Sequence, residues 1–197
     1  MNENEKQMTE AESLSIISGM INRAKNRFSE TGTLYLLWGW VILVCCLAQF
    51  ISLKYFNYQK GYQVWFLTWL AVIYQFIYLA KRKKREKVKT YTDEIIGFVW
   101  LTFMVCGFIM VFILNKQKEY ESINPLILVL YGMPTFLSGI ILKFKPLLIG
   151  GIICWLLAFF SPFINYEYQL LLLACAVIAA WIIPGYLLRA KFKKESI

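Results

Sequence analysis

Six apolar runs divide this chain, each close to the length that crosses a lipid bilayer, and they leave little else to fold. The first, residues 33–53, has no charged side chain in 21 positions. A helix needs roughly 20 apolar residues to cross the ~30 Å hydrocarbon core. The same reading predicts further spans at about 62–80, 94–114, 125–142, 146–163 and 168–188. In hydrocarbon a segment must satisfy its own backbone amides and carbonyls, so runs of this length are helices. The expected fold class is all-α, a multi-pass transmembrane bundle of six helices over residues 32–190. A polar segment, 1–31, precedes it, and a basic tail, 191–197, follows. Of the 197 residues 59% are hydrophobic and only 17% charged, against about a quarter charged in soluble domains. No length remains for a separate soluble domain.

The strongest charge feature lies between the second and third runs. Lys81–Lys89 reads KRKKREKVK and holds Lys81, Arg82, Lys83, Lys84, Arg85, Lys87 and Lys89. Basic residues in short loops beside apolar runs stay in the cytoplasm. If this segment is cytoplasmic, six spans put both termini there too. Inside segments then carry 17 of the 21 Lys and Arg: four before the first span, seven in the cluster, Lys143 and Lys145, and four at the C-terminal end, Arg189, Lys191, Lys193 and Lys194. Only Lys54, Lys60, Lys116 and Lys118 fall outside. The cluster is therefore first a topology determinant. Each Lys or Arg near an anionic leaflet contributes roughly 1 kcal/mol, so the seven are also candidate contacts for anionic headgroups or a cytoplasmic protein partner. Glu86, Asp93 and Glu94 offset part of that charge. The net charge of +9 does not point to nucleic acid, because no segment is long enough to build a folded basic surface.

The start of the chain is acidic and polar and lacks the basic and apolar regions of a cleaved signal. Thr9 and Glu12 form a T-x-x-E capping box. Leu14, Ile17, Met20, Ile21, Ala24 and Phe28 then recur at helical spacing. Residues 10–30 are expected to form an amphipathic helix, either lying in the membrane interface or docking a partner, or packed on the cytoplasmic ends of the bundle. Tyr35, Trp38 and Trp40, near the start of span one, suit an interfacial aromatic belt.

Chemistry-bearing residues are scarce. The chain has no histidine, and its five cysteines, Cys45, Cys46, Cys106, Cys154 and Cys175, are scattered through the apolar runs. Neither a metal centre nor a disulfide framework is expected, and no cofactor is implied. No Asp, Glu, Lys, Arg or His lies inside a span, whereas proton relays and acid–base catalysis need a titrating group there. An enzyme is not expected. Gln49, Gln75, Thr68, Thr102, Thr135 and Ser138 are polar residues within spans, read as makers of interhelical hydrogen bonds.

Span four is the least regular. Pro134 at its middle frees a carbonyl and kinks the helix, with Thr135, Ser138 and Gly139 following. Span six repeats the theme at Pro184 and Gly185. These six residues are candidate kinks, framing either a cavity or close packing joints. Leu36–Ile42 is similar to Leu147–Ile153, and Ala71-Val72-Ile73 recurs as Ala176-Val177-Ile178, in the manner of duplicated hairpins.

The segment ESLSIISGMINRAKNRF running into YLLWGWVILV, with the ending IIPGYLLRAKFKK, resembles a group of small uncharacterised bacterial six-span integral-membrane proteins with an amphipathic N-terminal helix. The resemblance implies a bacterial cytoplasmic (inner) membrane and carries over no functional residue. The function expected is a non-enzymatic sensor, regulatory or accessory membrane component that contacts a cytoplasmic partner or anionic lipid. The alternative is an uncoupled channel or carrier for a neutral or apolar solute, acting as a homo-oligomer.

Overall fold

The computed structural model describes residues 14, 15, 19, 32–56, 58–85 and 91–195. Leu14, Ser15 and Gly19 are helical. The rest of the amphipathic helix expected over 10–30 lies outside the described residues, as do Lys87 and Lys89.

The described chain is all-helical, with no strand. In order it forms α1 (Gly32–Phe56), a 3-10 turn (Gln59–Trp65), α2 (Phe66–Arg85), α3 (Tyr91–Gln117), a 3-10 turn (Tyr120–Ser122), α4 (Ile123–Ile141), α5 (Lys145–Phe160), a 3-10 turn (Ser161–Phe163), α6 (Tyr166–Val177), a π-helical turn (Ile178–Ile182) and α7 (Ile183–Glu195). Six helical segments are long and apolar enough to cross a membrane, the last running through α6, the π turn and α7. The chain is a multi-pass membrane protein.

Helix boundaries overrun the apolar runs. α1 continues to Phe56, and the Gln59–Trp65 turn takes up both the expected polar loop and the start of span two. α3 begins at Tyr91, so Asp93 and Glu94 fall in its first turn. Two prolines sit where the missing amide costs least: Pro125 in the first turn of α4 and Pro146 in the first turn of α5.

Two helices end in the same six-residue hydrogen-bond pattern. After α3, Glu119 N–H donates to the Leu114 carbonyl and Lys118 N–H to that of Asn115; after α4, Phe144 N–H donates to Gly139 and Lys143 N–H to Ile140. This is the Schellman motif, which needs a left-handed residue just past the helix. Lysine fills that place twice, with φ of 63° at Lys118 and 51° at Lys143.

The six spans are unequal partners. Spans one, four, five and six pack together: α1 lies along α6, the π turn and α7, and α4 lies along α5. Within these four, 33–56% of each span is buried, against 6% for spans two and three. Span two, comprising the Gln59–Trp65 turn and α2, leans on α1, and α3 leans on α4. Lipid is as apolar as leucine, so helices in a membrane associate through close packing at small residues rather than by hydrophobic exclusion. The inner four carry those residues. A Cβ on Gly39 would stand 2.7 Å from Ile182 Cγ1, one on Gly150 2.6 Å from Ala180 Cα, and one on Gly139 2.6 Å from the Leu148 amide nitrogen. Gly39 and Gly150 occupy matching places in the two similar heptapeptides, and both face the sixth span at its π turn. The duplication does not extend to the following helices, since span two is peripheral and span six is the most enclosed.

Candidate functional site

The sequence singled out three places, and the structure separates them. The first is the basic segment after span two. α2 continues as one helix through Lys81, Arg82, Lys83, Lys84 and Arg85, and the Lys81 side chain is exposed. Five cations thus follow directly on the apolar stretch of a single helix. The acidic pair at the start of α3 sits where the helix dipole favours negative charge.

The second place is the proline of span four. Pro134, inside α4, cannot donate to the carbonyl of Leu130 one turn earlier. The next residue compensates locally: Thr135 Oγ1 donates to the Tyr131 carbonyl at 2.7 Å. The Trp181 indole N–H, from the π turn of span six, donates to the same hydroxyl at 2.9 Å. On the other flank Trp155 crosses α4 at Gly132, where any Cβ would collide with the indole, and its Nε1 donates to the Val129 carbonyl at 3.2 Å. Thr135 and Ser138 have no exposed surface, and Leu148 occupies the approach to Gly139. Side chains therefore fill the space around Pro134, Thr135, Ser138 and Gly139.

Aromatic rings complete this core. Tyr131 and Trp181 lie 4.5 Å apart between ring centroids, Trp100 lies 5.9 Å from Trp181, and Phe103 lies 5.7 Å from Tyr131. Tyr35 meets Trp100 edge-on at 5.8 Å and is 7% exposed. The expected aromatic belt therefore breaks up. Tyr35 is a core residue, Trp38 donates its indole N–H to Gln75 across the α1–α2 interface, and Trp40 alone of the three faces outward. The error came from position: a ring near the end of a span reads as interfacial unless its helix face is known.

The third place, Pro184–Gly185, is a separate joint. Proline at 184 removes the amide that would bond Ala180, and the chain meets that loss by widening into the π turn Ile178–Ile182 immediately before it. A Cβ on Gly185 would lie 2.9 Å from Leu36 Cγ, and one on Gly32 3.1 Å from the Gly185 carbonyl. The two candidate kinks thus touch different neighbours. Around Pro134, Gly132 and Gly139 face α5 and Thr135 faces Trp181, while Gly185 faces the first turns of α1.

Sequence reading missed a fourth place, the first turn of α6. Tyr166, Glu167, Tyr168 and Gln169 tie the start of that helix to several other segments. The Tyr166 hydroxyl accepts from Gln49 Nε2 at 3.2 Å, while Gln49 Oε1 accepts from the Trp65 indole at 2.5 Å. Glu167 pairs with Lys54 at 3.7 Å. Tyr168 OH lies 3.2 Å from Lys54 Nζ, and the Tyr168 ring stands beneath the same ammonium. Gln169 Nε2 donates to the carbonyls of Ser161 and Ile164. The available signal was four consecutive residues with polar tips opening an otherwise apolar span. Gln49, Gln75 and Thr135 do bond between helices as expected, while Thr68 Oγ1 bonds within its own segment to Trp65. A shallow depression of about 710 Å³ beside Ala48, Ile51, Ser52, Phe56 and Tyr58 lies at this same end of the bundle.

Among the described residues no group of His, Cys, Asp or Glu is arranged to hold a metal ion. All five cysteines are free thiols, with Cys45, Cys46 and Cys154 buried. No family model matches the chain, and neither the curated proteins nor the solved structures yield a match.

Proposed function

We propose that this protein is a non-enzymatic accessory or regulatory component of the bacterial cytoplasmic membrane. Both termini and Lys81–Lys89 would face the cytoplasm, and the basic segment would bind the anionic headgroups of that leaflet. The observation that carries this reading is the continuity of α2, which passes from its apolar stretch into five consecutive cations without leaving helix. Cations there sit at headgroup depth when the apolar stretch is in hydrocarbon. The excess of Lys and Arg on one set of connections supports the orientation. The neutral core supports a non-catalytic role: its buried polar residues are Gln49, Asn124, Thr135, Ser138, Ser161 and Gln169. The resemblance to small bacterial membrane proteins supports the location. A cytoplasmic protein held at the same basic face is the companion reading. The alternative of an uncoupled channel draws no support from the region around Pro134, where Trp155, Trp181 and Leu148 take up the space.

One variant tests orientation and lipid contact separately. Lys81, Arg82, Lys83, Lys84 and Arg85 are changed together to Gln, and single cysteines at the two termini are probed with an impermeant thiol reagent in a background lacking the native thiols. In the unaltered segment, labelling only after the membrane is opened is expected, and labelling of intact cells refutes the orientation. Anionic phospholipid retained after purification in mild detergent falls in the five-fold variant if the cluster holds headgroups, and equal retention refutes that contact. A protein recovered in wild-type pull-downs and lost with the variant carries the companion reading.

A further inference from the structure

At the end of the bundle that bears Tyr166, three buried polar side chains from three different segments have a hydrogen-bonding atom without a partner. They are Asn124 Nδ2 at the start of α4, Ser161 Oγ at the end of α5, and Gln169 Oε1 in the first turn of α6. Their exposures are 4%, 0% and 3%. Gln169 is already oriented toward Ser161, because its Nε2 donates to the Ser161 carbonyl at 3.3 Å. Asn124 belongs to the same level. α4 and α5 run antiparallel in a register that sets Gly139 against Leu148, Phe136 against Gly151 and Gly132 against Trp155. Continued to the start of α4, that register brings Asn124 beside the Ser161–Phe163 turn, which α4 contacts.

We infer that this junction is a binding site for one internal water molecule, bridging Asn124, Ser161 and Gln169. The donors and acceptors match a water and little else. The Asn124 amide N–H donates to the water oxygen, the water donates one hydrogen to Gln169 Oε1, and the Ser161 hydroxyl supplies the third partner as donor or acceptor. A buried water needs two to four such partners and typically makes about three. None of the three side chains is charged, and a buried polar atom left unpaired costs about 1–3 kcal/mol. Three segment ends converge here, where backbone groups are short of intrahelical partners. The water would extend the attachment made by the α6 turn from α1 to α4. Unlike the basic segment, this site lies at the opposite end of the bundle, and it does not depend on the proposed function.

The test joins a lipid-phase crystal structure to a double-mutant cycle on the full chain in detergent. Density for one water within hydrogen-bond distance of all three atoms is expected. Asn124→Leu and Ser161→Ala should each lower the thermal midpoint, and the double variant should lower it by clearly less than the two effects together, because either change alone already disrupts the shared water. Direct bonding of Asn124 Nδ2 to Gln169 Oε1 with no density between them overturns the inference. Strictly additive shifts overturn it as well. If a variant fails to fold, the density in the wild-type crystal decides alone.

Discussion

The Trp181 indole nitrogen donates to Thr135 Oγ1 at 2.9 Å, so the π turn of span six is fastened to the residue that follows Pro134 of span four. The π turn that precedes one proline and the helical turn that follows another thus meet through one hydrogen bond. The hydroxyl is saturated, since it also donates to the Tyr131 carbonyl. Thr135→Val keeps the side-chain shape and removes both bonds, leaving the buried indole N–H unpaired. It is expected to destabilise the bundle by about 1–3 kcal/mol, read as a lowered unfolding midpoint in detergent, with Thr135→Ser close to wild type. An unchanged midpoint in the valine variant would show that the bond carries no weight.

Two glycines give opposite expectations for the same substitution. At Gly150 a Cβ meets Ala180 Cα at 2.6 Å and the Ala179 carbonyl at 3.0 Å, both backbone that cannot swing aside. Gly150→Ala must push α5 off the π turn and is expected to cost about 1–3 kcal/mol. At Gly97 nothing lies within 4 Å, and the gain in helix propensity favours Gly97→Ala by about 0.5–1 kcal/mol. Thermal unfolding of the two variants side by side checks both signs. A destabilised Gly97→Ala would mean that α3 has a close neighbour at that position.

Gln49 and Lys54 both reach the first turn of α6 from α1, yet their substitutions should differ. Gln49 is buried and bonds Trp65 and Tyr166 at once. Gln49→Leu strands both groups, at about 1–3 kcal/mol for each that finds no new partner. Lys54 pairs with Glu167 where both side chains are over 40% exposed, and exposed ion pairs contribute little. Lys54→Met should leave the midpoint nearly unchanged. Equal losses in the two variants would assign the strength of this end to the ion pair instead.

The spans, their number and their approximate limits were legible because the constraint that sets them is local. A segment in hydrocarbon must be apolar over its own length and must bond its own backbone, and both conditions can be counted along the chain. Pro134 and Pro184 were legible as irregularities for the same reason. Their environments were not. Pro184 marks a lost amide bond but not how the chain meets it, and the close approach of Gly150 and Gly39 to the π turn exists only in the packed bundle. Tyr35 illustrates the same limit from the other side: its place near a span end suggested the interface, and only the folded bundle brings Trp100 of α3 against it.

By itself the sequence determined a six-span, all-helical membrane chain with a neutral interior and a concentrated basic segment after span two. The tertiary structure alone decided which four spans form the centre of the bundle, that spans two and three lie at its margin, that Trp181 closes over Thr135, and that the first turn of α6 gathers one end of the bundle. The reason is physical. In a lipid environment the face of a helix that meets another helix and the face that meets acyl chains are equally apolar, so hydrophobic periodicity, which marks the buried face in water, carries little information here. What distinguishes the faces is the fit of small residues and the pairing of a few neutral polar groups, and both exist only once the helices are side by side.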